Sequence, residues 1–277
     1  MDISLQSLFY FIIITIIYFS FPAIGKPQLT LEYLEKDKQM EYYNTNMKRL
    51  ALYFGVVVVS QMFLNVGYLM SKCGGSLDKN ISAAAMYTII PWILIFGILM
   101  IVLLIFPGFK SAFSDVIGYY IVSREANDIF GSILIGTDLN EEIEKTNDPD
   151  KKNELTKAAE AIIKICGNKS IIINQMNPDN FSSVWDALKP LMKPGSFDDI
   201  SIKQRLLDIV AYKENIGEAF WYIYASILIS SIVYYNLATR GCVKSLEEIK
   251  SDHDAYVKSQ EEQLEKTKAT ATTYKIG

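Results

Sequence analysis

Long apolar segments alternate with charged stretches along this chain. Four apolar segments cover Leu5–Ile24, Leu50–Met70, Ala83–Phe109 and Ala219–Leu237, and none of them contains Asp, Glu, Lys, Arg or His. A helix needs about 20 apolar residues to cross a hydrocarbon layer about 30 Å thick. The pattern therefore predicts an all-α membrane protein with four transmembrane helices.

The stretches between these segments predict the rest of the organisation. The predicted regions are transmembrane helix 1 (1–24), a polar helical connection (25–49), helix 2 (50–70), a short loop (71–82), helix 3 (83–109), a small, mostly helical soluble domain (110–218), helix 4 (219–237) and a charged helical tail (238–277). Asp2 is the only charged side chain before the first segment, so this segment lacks the positively charged start of a signal peptide and is interpreted as a retained span.

Capping and breaking residues predict where the helices near the membrane begin and end. Thr30 is a candidate N-cap for a helix that leads without a break into the second span. The short loop predicts that the second and third spans are antiparallel neighbours. Pro91 is expected to kink the third span, and Pro107 to end it.

The soluble domain shows similar signals. Helices are expected over Ser114–Ile135 and from Asp148 onwards, and a short strand over Ser170–Asn174. Asp198 or Asp199 is expected to cap a long helix that continues into the fourth span. Gly217, at the junction of that helix with the span, is the expected weak point.

The distribution of basic residues predicts the topology. With four spans, both termini lie on one side of the membrane and the soluble domain lies on the other. More basic residues flank the membrane on the domain side, namely Lys26, Lys36, Lys38, Lys48, Arg49, Lys110, Arg124, Lys203, Arg205 and Lys213. Fewer flank it on the terminal side, namely Lys72, Lys79, Arg240, Lys244 and Lys250. The positive-inside rule therefore places the domain in the cytosol at synthesis.

Composition argues against several functional classes. A net charge of −4 and a pI of 5.2 argue against a nucleic-acid-binding protein, which usually carries a basic patch. The three cysteines have no metal-binding spacing, and no catalytic motif accompanies the single histidine, His253. The sequence predicts no catalytic residue, no metal site and no cofactor, and therefore no enzyme.

Two polar patterns occur inside the spans. Gln61 and Asn65 lie one turn apart on one face of the second span, where they could line a pore or make interhelical hydrogen bonds, which is the favoured interpretation. The absence of charge in all four spans argues against ion-coupled transport. In the fourth span, Ser226 and Ser230 form a face of small residues that predicts close helix packing.

Cys73 and Cys242 each follow a span by a few residues. Four spans place both cysteines on the same side of the membrane at similar depth. If that side is lumenal, a disulfide between them is possible, provided that their Cα atoms lie within about 7 Å. Two free thiols are the alternative.

The charged tail is expected to be helical. Its residues at heptad spacing are half polar, namely Leu246, Ile249, His253, Tyr256, Gln260 and Gln263. A coiled coil is therefore one interpretation, and a solvated helix is the other. The last stretch, Thr270–Ile276, has strand propensity and could add to the sheet of a partner, or it could be frayed.

Several segments carry a family resemblance. They are Ile173–Phe181 with Trp185 after it, Asn215–Tyr222, Ile229–Asn236, the Gly241-Cys242 pair, and His253 with Tyr256. This C-terminal third to half of the chain resembles membrane proteins of nucleocytoplasmic large DNA viruses, of the kind found in algal viruses with an internal membrane beneath an icosahedral capsid. The resemblance implies a minor capsid or membrane protein of the virion and carries over no catalytic residues.

The expected function is structural. The protein is expected to anchor capsid or other minor capsid proteins to an inner lipid membrane of the virion, which derives from a host endomembrane during assembly. A homo-oligomer is possible. The alternatives are a pore or transporter lined by the polar face of the second span, and a structural subunit of a cellular membrane complex.

Overall fold

A computed structural model describes residues 3–73, 77–134, 148–150, 152–153, 157, 169–240, 242 and 246–270. Over these residues the protein is helical, and its only extended pairing is an isolated antiparallel bridge between Leu134 and Met192. The predicted all-α class is therefore confirmed for this part of the chain.

Three helices of the described chain are long and apolar enough to cross a membrane: Asp37–Cys73, Ile81–Ile105 and Ile200–Thr239. They coincide with the second, third and fourth apolar segments. The first segment forms helix α1 (Ile3–Ser20), whose described apolar part, Leu5–Ser20, is shorter. The protein is thus a helical membrane protein with three candidate spans.

Helix α2 (Lys36–Cys73) joins the polar connection to the second span without a break, as predicted. The predicted start at Thr30 is wrong. Thr30 precedes a separate 3₁₀ turn at Leu31–Leu34, and its hydroxyl makes no capping hydrogen bond. Glu35 then takes an extended conformation, so α2 begins only after it.

The third apolar segment changes its helical geometry after a proline. Helix α3 (Leu77–Pro91) is followed by a π-helical stretch, Trp92–Gly97, and then by α4 (Ile98–Ile105). Proline cannot donate the usual backbone hydrogen bond, and we attribute the local π geometry to this missing donor. Pro107 begins a 3₁₀ turn that ends at Lys110, so the segment terminates where its sequence predicts.

The soluble domain begins with a short helix, α5 (Ser111–Phe113), a π-helical stretch (Ser114–Gly118) and helix α6 (Tyr119–Ile133). Helix α7 (Phe181–Leu188) follows later in the chain. The predicted strand at Ser170–Asn174 is wrong, because Lys169–Gln175 forms a 3₁₀ helix. Ser170 and Ile173 are buried at the three-residue spacing of that helix. Most of the helix predicted from Asp148 lies outside the described residues.

Helix α8 (Ile200–Thr239) runs unbroken from the soluble domain through the fourth apolar segment. Asp199 caps it as predicted, because its carboxylate accepts hydrogen bonds from the backbone N–H groups of Ser201 (3.0 Å) and Ile202 (3.1 Å). The tail forms helix α9 (Leu246–Thr270), whose described side chains are exposed. A coiled coil there stays a prediction, and the residues after Thr270 lie outside the described chain.

Two apolar cores lie along α8. The membrane core is centred on aromatic side chains from α1, α2, the π stretch and α8, including Phe11, Tyr53, Trp92, Phe96 and Tyr222. The domain core is built from α6, the 3₁₀ helix, α7 and the start of α8, including Phe130, Ile173, Trp185, Leu206 and Val210. Because α8 contributes to both cores, the two cores share one rigid element.

Candidate functional site at the junction of membrane and domain

The polar pair predicted in the second span lies in helix contacts. Gln61 is fully buried, accepts a hydrogen bond from the Ser7 hydroxyl and donates to the Ser7 backbone carbonyl (3.0 Å). Asn65 is 4% exposed and donates to Thr88 (2.8 Å). These amides join α2 to α1 and α3, so the structure uses them for helix packing rather than for lining a path.

The two serines predicted to mark close packing in the fourth span are both buried. Ser226 donates to the Ile223 carbonyl of its own helix, and Ser230 lies 3.3 Å from the Ser7 hydroxyl. Ser7 therefore contacts α2 through Gln61 and α8 through Ser230. One small residue of α1 connects three helices.

Cys73 and Cys242 form a disulfide with Cα atoms 5.3 Å apart. The neighbouring Lys72 donates hydrogen bonds to backbone carbonyls near the end of α8, those of Leu237 (3.2 Å) and Ala238 (2.5 Å). A cation at a helix C-terminus satisfies open carbonyls and complements the helix dipole. The end of α2 thus holds the end of α8 both covalently and electrostatically.

The opposite end of the apolar bundle contains a buried ion cluster, which sequence reasoning missed. One oxygen of the Glu218 carboxylate accepts from Lys26 (2.8 Å) and lies 2.9 Å from the Lys110 ammonium. Its other oxygen accepts from the hydroxyl of Tyr222 (2.7 Å). All three charged side chains are at most 15% exposed. The sequence does contain one signal for this cluster: Lys26, Lys110 and Glu218 are each the charged residue nearest to the end of an apolar segment.

Backbone turns place Lys26 in this cluster. The Lys26 N–H donates to the Tyr18 carbonyl at the end of α1 (2.8 Å), so the chain folds back on the helix. A Cβ at Gly25 would clash with that same carbonyl oxygen, so the position requires glycine. Arg49 of α2 donates to the carbonyls of Pro22 and Gly25 and fixes the turn.

A second ion group lies one turn farther along α8. The buried Lys213 ammonium is 2.6 Å from Asp115 and 3.5 Å from Glu214. Ser114 donates to the Glu214 carboxylate (3.1 Å). These contacts tie the π-helical stretch to α8. Nearer the start of α8, Arg205 pairs with Glu125 of α6. The chain from Asp115 to Glu125 therefore runs antiparallel to α8.

Two glycines allow these helices to approach closely. A Cβ at Gly217 would lie 2.7 Å from Ser114 Cβ and 2.9 Å from the Lys110 carbonyl oxygen. A Cβ at Gly118 would lie 2.7 Å from the Lys213 carbonyl oxygen. The expectation that Gly217 is a weak point of α8 is wrong. The helix is continuous there, and the glycine serves packing.

Burial and charge act differently on the two lysines of the Glu218 cluster. Burial lowers the pKa of Lys26, because the loss of hydration outweighs the attraction of Glu218. Burial also opposes charge on Lys110, but the carboxylates of Glu218, Glu214 and Asp179 outweigh it and raise the pKa of that lysine. The lysine after α4 is therefore the more firmly charged partner of the carboxylate.

A cavity of about 470 Å³ opens beside both ion groups. Its wall includes Lys26, Lys110, Asp115, Lys213 and Glu214. The size falls within the range of about 300–1,000 Å³ that is usual for small-ligand sites. Among the described residues, no group of three or more His, Cys, Asp or Glu side chains could hold a metal ion.

Comparison with models of known protein families, with curated proteins and with solved structures finds no match to this chain. The function must therefore be argued from the geometry of the chain itself.

Proposed function

We propose that this protein is a structural membrane protein that anchors partner proteins to a lipid bilayer through its soluble domain, residues 110–218. The observation that carries the proposal is the continuity of α8, which belongs to both the domain core and the membrane core. A load applied to the domain passes directly into a membrane helix, without an intervening linker. This arrangement suits an anchor.

The contacts at both ends of the membrane part of α8 support the same role. Glu218 joins it to the chain after α1 through Lys26 and to the chain after α4 through Lys110. At the other end, the disulfide and Lys72 join it to α2. A helix held at both ends resists being pulled or rotated relative to its neighbours.

We further propose that α1 is a fourth span. Its buried residues Ser7, Phe11, Thr15 and Tyr18 lie on one face, and that face packs along the bundle. Thr15 pairs with Tyr53 of α2 (2.8 Å), and Ser7 pairs with α2 and α8. The opposite face is apolar and exposed, as a lipid-facing surface would be.

With four spans, the disulfide and both termini lie on the side opposite the domain. Disulfides persist in oxidising compartments, which agrees with a lumenal position for Cys73 and Cys242 at synthesis. The excess of basic residues beside the domain independently favours a cytosolic domain. The disulfide and the distribution of basic residues thus support the same orientation, with the soluble domain in the cytosol at synthesis.

The resemblance to membrane proteins of large DNA viruses supplies the proposed location. The bilayer would be the inner membrane of a virion, and the partners of the domain would be capsid or minor capsid proteins, with further copies of this chain as possible neighbours. The hydrogen bonds of Gln61 and Asn65 leave the pore interpretation without a specific observation in its favour.

Amine-reactive cross-linking of intact particles tests the proposal. Lys189 and Lys193 are exposed on the domain, whereas Lys250 and Lys258 are exposed on the tail, which the proposed four spans would place across the membrane. We expect the domain lysines to cross-link to shell proteins and the tail lysines not to do so. Domain cross-links confined to this chain would refute the anchoring role, and shell cross-links from the tail alone would reverse the proposed orientation.

A further inference from the structure

The cavity lies at the junction between the apolar bundle and the soluble domain. Phe19 and Leu104, near the ends of two apolar helices, contribute to its wall, and so do Asp179 and Asp208 of the soluble domain. Along α8, the residues of the wall run from Asp208 to Asn215, which are seven residues apart, or about 10 Å at 1.5 Å per residue. The cavity wall therefore extends from the apolar bundle into the aqueous domain.

Charge is distributed unevenly along this wall. At the membrane end, the ammonium groups of Lys26 and Lys110 both contact the carboxylate of Glu218, and Asp179 is close enough to raise the pKa of Lys110. Each ammonium carries three N–H donors, and the contact with Glu218 uses one of them. One turn farther out, Lys213 faces two carboxylates, those of Asp115 and Glu214.

The outer end of the wall is acidic and aromatic. Asp208 lines it, as do the tyrosines Tyr43 and Tyr212, which are 48% and 55% exposed. Asp208 and Tyr212 are four residues apart on α8 and therefore share a face. Carboxylates and tyrosine rings together are the groups that recognise alkylammonium ions.

This order of charges matches one class of ligand. In a zwitterionic phospholipid, the phosphate lies close to the acyl chains, and the choline or ethanolamine group extends towards water. A simple anion would meet the outer carboxylates, and a simple cation would meet the two lysines at the membrane end. We propose that the cavity binds the headgroup of a zwitterionic phospholipid, with the phosphate beside Lys26 and Lys110 and the ammonium beside Asp208 and Tyr212.

Native mass spectrometry of the full chain in mild detergent tests this proposal. The protein is mixed with equal amounts of phosphatidylcholine, phosphatidylethanolamine and phosphatidylglycerol with identical acyl chains. We expect retention of either zwitterionic lipid to exceed that of phosphatidylglycerol by about threefold or more, the scale of one partly exposed charge contact. Equal retention, or a preference for phosphatidylglycerol, would overturn the proposal, because belt lipids held by their chains show no such selectivity.

Substitutions at the outer end test the assigned polarity of the site. D208N keeps side-chain oxygen and nitrogen atoms for its contact with Gln204 but removes the negative charge. We expect it to lower the preference for zwitterionic lipids about twofold to fivefold. Y212L, at an exposed position of the same outer end, provides a second variant with the same expected direction if D208N folds poorly.

The matched control is D198N, which removes an exposed carboxylate of the same domain that does not line the cavity. It should leave lipid selectivity unchanged. If D208N and Y212L fold normally and select lipids as the unsubstituted protein does, or if D198N has the same effect as they do, the headgroup site is refuted.

Discussion

Gly217 lies so close to Ser114 that a methyl group at the glycine would come within 2.7 Å of the serine Cβ. The contact lies between α8 and the π-helical stretch that opens the soluble domain. It brings the two elements together directly beside the Glu218 ion cluster. The lack of a side chain at one position therefore supports the charge pairing next to it.

The substitution G217A should destabilise the protein, although alanine favours helices over glycine by about 1 kcal/mol. Overpacking of a tight contact costs about 1–3 kcal/mol, so the steric term should outweigh the helical gain. We expect a lower midpoint of thermal unfolding, measured by circular dichroism in detergent. The control is G131A in α6, where a Cβ would meet nothing within 4 Å and the midpoint should stay or rise.

The substitution E218Q should be among the most damaging single changes to charge. It leaves the ammonium groups of Lys26 and Lys110 buried without their shared carboxylate. Breaking a buried ion pair costs about 3–5 kcal/mol. E125Q, which breaks the exposed pair with Arg205, should cost less than about 1 kcal/mol. Chemical unfolding of both variants measures the difference, and equal effects would contradict burial of the cluster.

Lys26 and Lys110 should contribute differently to the stability of the folded protein at neutral pH. The pKa of Lys110 is raised, so its charged form stabilises the folded state below its ordinary pKa of 10.5, and this contribution is lost as pH rises through the raised value. The pKa of Lys26 is lowered, so its charged form opposes folding at neutral pH. K110M should therefore lower the unfolding midpoint at pH 7 more than K26M does. The reverse order would contradict the assignment.

The substitution Q61L should weaken the bundle without opening a path through it. It removes the hydrogen bonds to Ser7, and intramembrane side-chain bonds are worth about 0.6–2 kcal/mol. S60A is the control, because the Ser60 hydroxyl donates to the Val57 carbonyl of its own helix. Proteoliposomes should leak no more ions with Q61L than without it. Ion flux in the unsubstituted protein that Q61L abolishes would instead support the pore.

The disulfide predicts a pattern of thiol reactivity. Alkylation followed by mass spectrometry should modify Cys73 and Cys242 only after reduction. The substitution C73S should expose Cys242 to alkylation without reduction. It should also lower stability by about 2–4 kcal/mol, the usual contribution of a disulfide. Modification of both cysteines in unreduced protein would show that the bond is absent from the native state.

The apolar segments were predictable because length and hydropathy alone define a helix that crosses a membrane. Asp199 was also predictable, since an N-cap depends on its immediate neighbours. The strand prediction for Ser170–Asn174 was wrong because three successive isoleucines suit a buried strand and a buried 3₁₀ helix equally well. Local sequence cannot distinguish between the two.

The Glu218 cluster was not predictable for a different reason. Its lysines and its carboxylate come from three distant parts of the chain, and only the packed bundle brings them together. The prediction that Gly217 weakens α8 was wrong for the same reason, because it depends on a distant part of the chain. A glycine at a helix junction has the same local sequence whether it bends the helix or admits a neighbour, and only the position of Ser114 decides between them.

The unbroken α8 also has a mechanical consequence. Its 40 residues correspond to a rod about 60 Å long, of which roughly the second half is apolar. A partner that fixes the inclination of the outer end thereby fixes the tilt of the inner end, and a tilted span changes the local thickness of the surrounding lipid. In an array of such chains, the angle at which each rod is held would become a torque on the bilayer. The protein would then impose curvature on its membrane as well as attach to it.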